Sequence, residues 1–176
     1  DPVDFRIYSE VDGREVLHCQ GHGVRSLQTE APRVDVEQLR RQMTQRTIDT
    51  TTIYEAFVRT GGIYGPAFQG VAAIHHGDDQ LLADLRLPKV IANTLSDFVL
   101  HPTLMDSALQ CYLGLLDDWF ECTGQTRMPF ALESAQVFAP CTSEMTAWMR
   151  FSPGSSISDP VVRLDIDLCD PQGRVC

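Results

Sequence analysis

The chain has 176 residues, 43% hydrophobic and 22% charged, which suits one well-packed domain and is tight for two. Its net charge of −10 is the wrong sign for holding nucleic acid through phosphates. No apolar run approaches the roughly 20 residues needed to cross a bilayer. Neither nucleic acid nor a membrane is therefore an expected partner.

In chain order, Val3, Phe5 and Ile7 alternate with Asp4, Arg6 and Tyr8, the period-two mark of a half-buried strand. A turn at Val11-Asp-Gly-Arg14 leads into a second strand, Glu15 to Leu27, so the chain opens with a hairpin. A polar stretch to Arg33 precedes a short amphipathic helix from Asp35 to Gln45, with Val36, Leu39 and Met43 on one face. Arg33, Arg40, Arg41 and Arg46 gather here, as a solvated helix face or a small patch for an acidic partner. A second helix, Ile53 to Arg59, can be capped by Thr51 or Thr52, with Glu55 completing a capping box from Thr52 and Gly61-Gly62 ending it.

Strand-like runs follow at Val71 to His76, Gln80 to Leu87, Phe130 to Phe138, Thr146 to Phe151 and Val161 to Cys169. His75 and His76, just before the Gly77 turn, read as exposed. Between these strands lies His101-Pro-Thr-Leu-Met-Asp106-Ser-Ala-Leu-Gln110-Cys-Tyr-Leu-Gly-Leu-Leu116, whose apolar residues cover nearly the whole circumference of a helix. That predicts a buried helix, with Pro102 in its first turn and the acid near its positive end. One nearly all-apolar helix and about five strands predict an α+β domain in which an antiparallel sheet wraps a central helix.

Asp106 is the single carboxyl inside that core helix, and Gln110, one turn on, shares its face. A buried carboxyl costs several kcal/mol unless paired or protonated, so folding alone would not select it. Its alternative reading is an acid satisfying a backbone group or a nearby Arg; that of Gln110 is an amide capping a neighbouring backbone group. His101 reads as a loop residue that packs or hydrogen-bonds at the helix start, and Tyr64 as well explained by core packing. Gly65 and Gly70 read as requirements of tight turns. Six cysteines, at 19, 111, 122, 141, 169 and 176, show no metal-finger spacing. They fit free buried thiols and a cytoplasmic setting. The opening lacks an initiator Met and the end stops just inside a strand-like run, as expected of a piece of a longer polypeptide.

Tyr64-Gly-Pro-Ala-Phe-Gln-Gly70, about thirty residues before His101-Pro-Thr-Leu-Met-Asp106-Ser-Ala-Leu-Gln110, with Met128-Pro-Phe-Ala-Leu132 beyond, closely resembles the dehydratase domains of modular polyketide synthases. The resemblance implies a double hotdog fold with the active site between its halves. Residues 63–176 would form the C-terminal hotdog, 1–30 the remaining strands of a preceding one, and 31–62 a linker with short helices. It implies catalytic roles for Asp106 and Gln110 and a substrate-lining role for Tyr64, Gly65, Pro66, Phe68, His101 and Leu104. The family's catalytic histidine lies in an HxxxGxxxxP motif, which this chain does not contain. His18 and His22 are weak replacements or metal ligands.

The function implied is removal of water from a 3-hydroxyacyl thioester on the phosphopantetheine arm of an acyl carrier protein, with no other cofactor and no metal. Asp106 would be the acid, and the isolated chain would be inactive without the histidine half. Acyl carrier protein and neighbouring synthase domains are the implied partners, with room for a homodimer through the parent synthase. Two alternatives stand beside this: a non-catalytic module that positions a carrier, and a pyran-forming cyclase or double-bond isomerase on the same fold.

Overall fold

The computed structural model describes residues 2–28, 30–116 and 128–176. The chain divides into two compact units, Asp1–Glu30 and Ala31–Cys176. The first is an antiparallel hairpin of β1 (Val3–Val11) and β2 (Arg14–Gly23). Asp12 at φ 51° and Gly13 at φ 72° close it, the left-handed pair that matches the twist of flanking strands. The expected half-burial of this hairpin is not found: Val3, Phe5 and Ile7 are all exposed. His18 and His22 sit four residues apart on β2, roughly 13 Å at strand rise, too far to share a metal ion. His18 instead meets the Ser9 hydroxyl at 2.8 Å.

The second unit is built on a five-stranded, wholly antiparallel sheet. Its strands are β3 (Arg46–Asp49), β4 (Val71–Gly77), β5 (Gln80–Arg86), β6 (Glu144–Phe151) and β7 (Leu164–Cys169), paired in chain order. Helix α1 (Val36–Gln42) starts at Asp35, whose carboxylate accepts from the Gln38 N–H at 2.8 Å. Helix α2 (Thr50–Arg59) starts at Asp49, which accepts from both the N–H and the hydroxyl of Thr52. The cap is thus Asp49, not Thr51 or Thr52 with Glu55: a carboxylate already held at the end of β3 reaches the open N–H groups first. Residues 31–62 therefore hold two short helices and also an edge strand, β3, that the sequence reading did not expect.

Helix α3 (Pro102–Gln110) lies on one face of the sheet, and its course continues as a 3₁₀ turn over Cys111–Leu115. Alternation along β4, β5 and β6 sends Ile74, Leu81, Ala83, Met145, Ala147 and Met149 to this face. They close over Leu104, Ala108 and Cys111 from α3 and over Ile53, Ala56 and Phe57 from α2. Arg46 donates to the carbonyls of Gly114 and Leu116, satisfying groups left open at the end of the helical course. Gly70 marks a close approach of the 64–70 turn to α3: a Cβ there would lie 2.5 Å from Ser107 Oγ and 3.2 Å from Arg86 O. Its backbone has no left-handed φ, so packing rather than a turn selects glycine.

On the opposite sheet face α1 places Leu39 and Met43 over Leu82. Beside them Asp84 is bridged by Arg40 at 2.7 Å and by His75 at 2.9 Å, while Thr47 meets the other nitrogen of His75. His75 is thus half-buried, and His76, which bonds the Gln45 amide, is buried, so neither is the exposed residue expected from the turn. Arg40 and Arg46 both have internal partners, which breaks up the basic patch.

Two strands differ from expectation. Phe130 to Phe138 forms none: Met128, Phe130 and Leu132 alternate as a strand would, but stand 75, 80 and 79% exposed with no neighbouring strand among the described residues to pair. The last strand begins at Leu164 rather than Val161. Among the described residues the five cysteines are free, with Cys111, Cys141, Cys169 and Cys176 buried; Cys122 lies outside the described residues. No helix among the described residues is long and apolar enough to cross a membrane.

Two measurements test this frame. Gly70→Ala should lower stability by about 1–3 kcal/mol in urea titration through overpacking, and Ser107→Ala in the same chain should recover part of the loss. Burial pushes the Asp84 carboxyl up, but the hydrogen bonds and charges of His75 and Arg40 outweigh it and hold the group well below the usual carboxylate range. A depressed acid contributes stability above its unfolded value of about 3.9 and loses it as pH falls below that. The urea midpoint should accordingly fall more steeply below pH ~4 in the native chain than in Asp84→Asn.

Candidate active site

The site forms where α3 meets the turn carrying Tyr64 to Gly70. Gln110 is 3% exposed, and every polar atom of its amide is used. Nε2 donates to Asp106 Oδ2 at 2.7 Å and to the Phe68 carbonyl at 3.0 Å, while Oε1 accepts from the Tyr54 hydroxyl at 3.0 Å. Tyr54 Oη in turn accepts from the Val71 N–H at 3.1 Å. A buried amide with all its partners made is stabilising, whereas one left half-satisfied is costly. This arrangement locks α3, α2 and the 64–71 segment together around Asp106.

Asp106 itself is half-buried, between Met105 at 38% and Leu109 at 41% exposure. The helix is therefore not buried all round as its composition suggested. Its 102–105–106–109 stripe is open, because no element of the described residues covers it. The acid also sits in the second turn of α3, beyond the first turn where the helix dipole acts most strongly.

Tyr54, Phe57 and Tyr64 cluster beside the pair, with Tyr64 edge-on to both others and Phe57 and Tyr64 ring centroids 4.7 Å apart. Burial raises the Tyr54 phenol well above its ordinary range and raises that of Tyr64 too, with the Asp106 charge adding to both. Both groups are consequently O–H donors at neutral pH. An open groove runs along α2 with Thr51, Tyr54, Glu55, Val58 and Gln69 in its walls, and neither Asp106 nor Gln110 lines it.

The other expected residues scatter. Phe68 contributes its carbonyl to Gln110 while its ring is 43% exposed, and Pro66 opens a short 3₁₀ turn over Pro66–Phe68. Gly65 has an ordinary φ of −69° and nothing near a notional Cβ, so neither a turn nor packing demands glycine there. Leu104 is 0% exposed in the core, where it packs rather than lines an open surface. His101 is 2% exposed and caps α3: Nδ1 accepts from the Thr103 N–H, Nε2 meets Thr94 Oγ1 at 3.0 Å, and Phe98 packs edge-on at 5.1 Å. Among the described residues no cluster of metal-ligating side chains is present.

Three comparisons with known proteins place the chain in a family. A family model described as "Polyketide synthase dehydratase N-terminal domain" matches residues 31–176, the span of the second compact unit. The chain belongs to the polyketide synthase dehydratase domain family. It is 40% identical over 176 residues to polyketide synthase PksN of Bacillus subtilis, covering 99% of this chain and 3% of PksN. Against a trans-AT polyketide synthase dehydratase domain from Brevibacillus brevis it has a TM-score of 0.85 at 36% identity, covering 99% of this chain and 61% of that one. Against the dehydratase of CurK, solved as an aspartate-to-asparagine inactive mutant, the TM-score is 0.77 at 25% identity, covering 99% and 58%. The chain thus spans a small fraction of the curated synthases it matches and about three-fifths of the solved dehydratase domains. The hotdog fold expected from the sequence agrees with these structural neighbours.

Tyr54 belongs to this candidate site, yet the sequence does not single it out. Its position on an amphipathic helix gives a packing signal only, and no spacing rule ties residue 54 to residue 110. Burial, partly countered by the Asp97 charge, lowers the His101 pKa and keeps the ring neutral. A histidine depressed in this way contributes fully above its unfolded value of about 6.5 and loses stability as pH falls through the window below it. Native stability should therefore decline as pH falls below about 6.5, and His101→Asn, which keeps an acceptor for the Thr103 N–H but cannot titrate, should lack that component.

Proposed function

We propose that this chain supplies the acid half of a dehydratase site and is the C-terminal hotdog of a double hotdog. Its reaction is the removal of water from a 3-hydroxyacyl chain carried as a thioester on the phosphopantetheine of an acyl carrier protein. The observation that carries this reading is the half-buried Asp106, held by Gln110 on an open apolar stripe of α3 beside the Tyr64 turn. The family model that matches is described as an N-terminal domain; the C-terminal assignment rests on the Asp106–Gln110 pair and on the lack of an HxxxGxxxxP motif in this sequence.

Elimination breaks the C2–H and C3–O bonds and forms the C2–C3 double bond, so it needs a base at C2 and an acid at C3. A histidine from another segment takes the C2 proton, the electron pair forms the double bond, and Asp106 gives its proton to the departing hydroxyl, which leaves as water. Neutral donors in apolar surroundings suit this step, since water would compete for both proton positions. The inactivity of the aspartate-to-asparagine and histidine-to-phenylalanine mutants of CurK dehydratase supports a two-residue mechanism in this chain too.

Dehydration of a 3-hydroxyacyl-thioester mimic by the complete domain tests the reading. Turnover is expected from the complete domain and not from residues 1–176 alone. Asp106→Asn should lower kcat by about 10²–10⁴-fold, the usual worth of a positioned acid. Turnover by the 176-residue chain alone would sink the two-half scheme, and carrier binding without turnover by the complete domain would favour a positioning module.

A further inference from the structure

The Tyr54 hydroxyl has no part in the acid-and-base scheme, yet it occupies the place from which the Gln110 amide is oriented. We infer that Tyr54 is a positioning residue that fixes which end of that amide faces Asp106, and that it thereby places the transferable proton of Asp106 on Oδ1. The effect on turnover rests on the dehydratase reading; the orientation of the amide does not.

Three hydrogen bonds run from one backbone group to another, a fourth branches from Gln110 to Asp106, and both backbone ends have fixed roles. The Val71 N–H can only donate, and it donates to Tyr54 Oη at 3.1 Å. The phenol's single proton is then directed to Gln110 Oε1, at 3.0 Å. At the far end the Phe68 carbonyl can only accept, which calls for Gln110 Nε2 at 3.0 Å. The remaining Nε2 proton goes to Asp106 Oδ2 at 2.7 Å. Flipping the amide would set Oε1 against the Phe68 carbonyl and Nε2 against a hydroxyl whose acceptor position Val71 already fills. In a side chain 3% exposed, water offers little replacement.

This fixes the acid as well. An N–H already points at Oδ2, so a proton on that oxygen would meet a second proton, whereas one on Oδ1 meets none from Gln110. Phenylalanine at 54 removes one of the two links that distinguish the amide's ends: Gln110 Oε1 loses its donor, the amide is held through Nε2 alone, and the acid proton is less tightly confined to one oxygen. The aromatic packing, by contrast, needs only the ring, which Phe retains.

The experiment uses the complete dehydratase domain and two readouts. In the native protein both Gln110 side-chain amide protons should give distinct, slowly exchanging NMR signals; rapid exchange of either would overturn the inference without any variant. Tyr54→Phe should abolish that protection and lower kcat by about tenfold with KM within about twofold, the mark of lost alignment rather than lost binding. Leu82→Ala, in the separate core under α1 on the opposite sheet face, should reduce stability while leaving kcat and the Gln110 signals as they were. A kcat for Tyr54→Phe within about twofold of native, or unchanged amide protection, overturns the inference. If Asp106→Asn keeps full turnover, the dehydratase reading falls, and the amide signals alone still decide whether Tyr54 orients Gln110.

Discussion

Full satisfaction of one buried amide is the constraint on which the rest of this site depends. Gln110 joins α3 to α2 through Tyr54 and to the 64–71 segment through the Phe68 carbonyl, and only then reaches Asp106. None of these bonds is unusually strong; a net 0.5–1.5 kcal/mol each is typical. Their importance lies in what breaking one leaves behind, namely a polar group out of contact with water. The site geometry is thus enforced by the cost of the alternatives more than by the gain from any single contact.

The sheet around this amide explains how a nine-residue helix can hold it in place. Leu104, Ala108 and Cys111 enter the core of the antiparallel sheet, Gly70 lets the chain pass close to Ser107, and His101 closes the helix start. Each anchors α3 from a different direction. The stripe with Met105, Asp106 and Leu109 is what remains outward, so the candidate acid lies on the face of α3 that the described residues leave open.

Much of this was legible in the residues because the signals were local. The apolar run with Asp106 and Gln110 one turn apart specifies a helix and a shared face, and the β4, β5, β6 and β7 patterns specify strands. What failed depended on neighbours. Val3, Phe5 and Ile7, like Met128, Phe130 and Leu132, alternate correctly but meet no covering layer in the described residues. Met105 and Leu109 are exposed for the same reason. Periodicity reports which side chains point together, not whether anything lies above them. His75 and His76 erred the other way: adjacent to a turn, yet enclosed by Arg40 and Gln45, 35 and 31 positions off, and by Asp84 across the hairpin. Tyr54 belongs to this class, since its partner lies 56 positions away.

The placement of α3 within the chain also governs how the sheet can assemble. Strands β4 and β5 meet across a two-residue turn, but β5 and β6 are contiguous in space while Arg86 and Glu144, paired at the end of their ladder, are 58 positions apart. Joining such distant segments carries an entropic penalty about 2–3 kcal/mol greater than closing the tight hairpin. The hairpin is consequently the natural nucleus, with α3 condensing on it before β6 can add and complete the ladder. During biosynthesis the acid-bearing helix must wait, with the part of its greasy inner side that β6 will cover still open, for more than thirty further residues to emerge. That interval makes the order of synthesis itself a determinant of whether this site forms or the chain clumps.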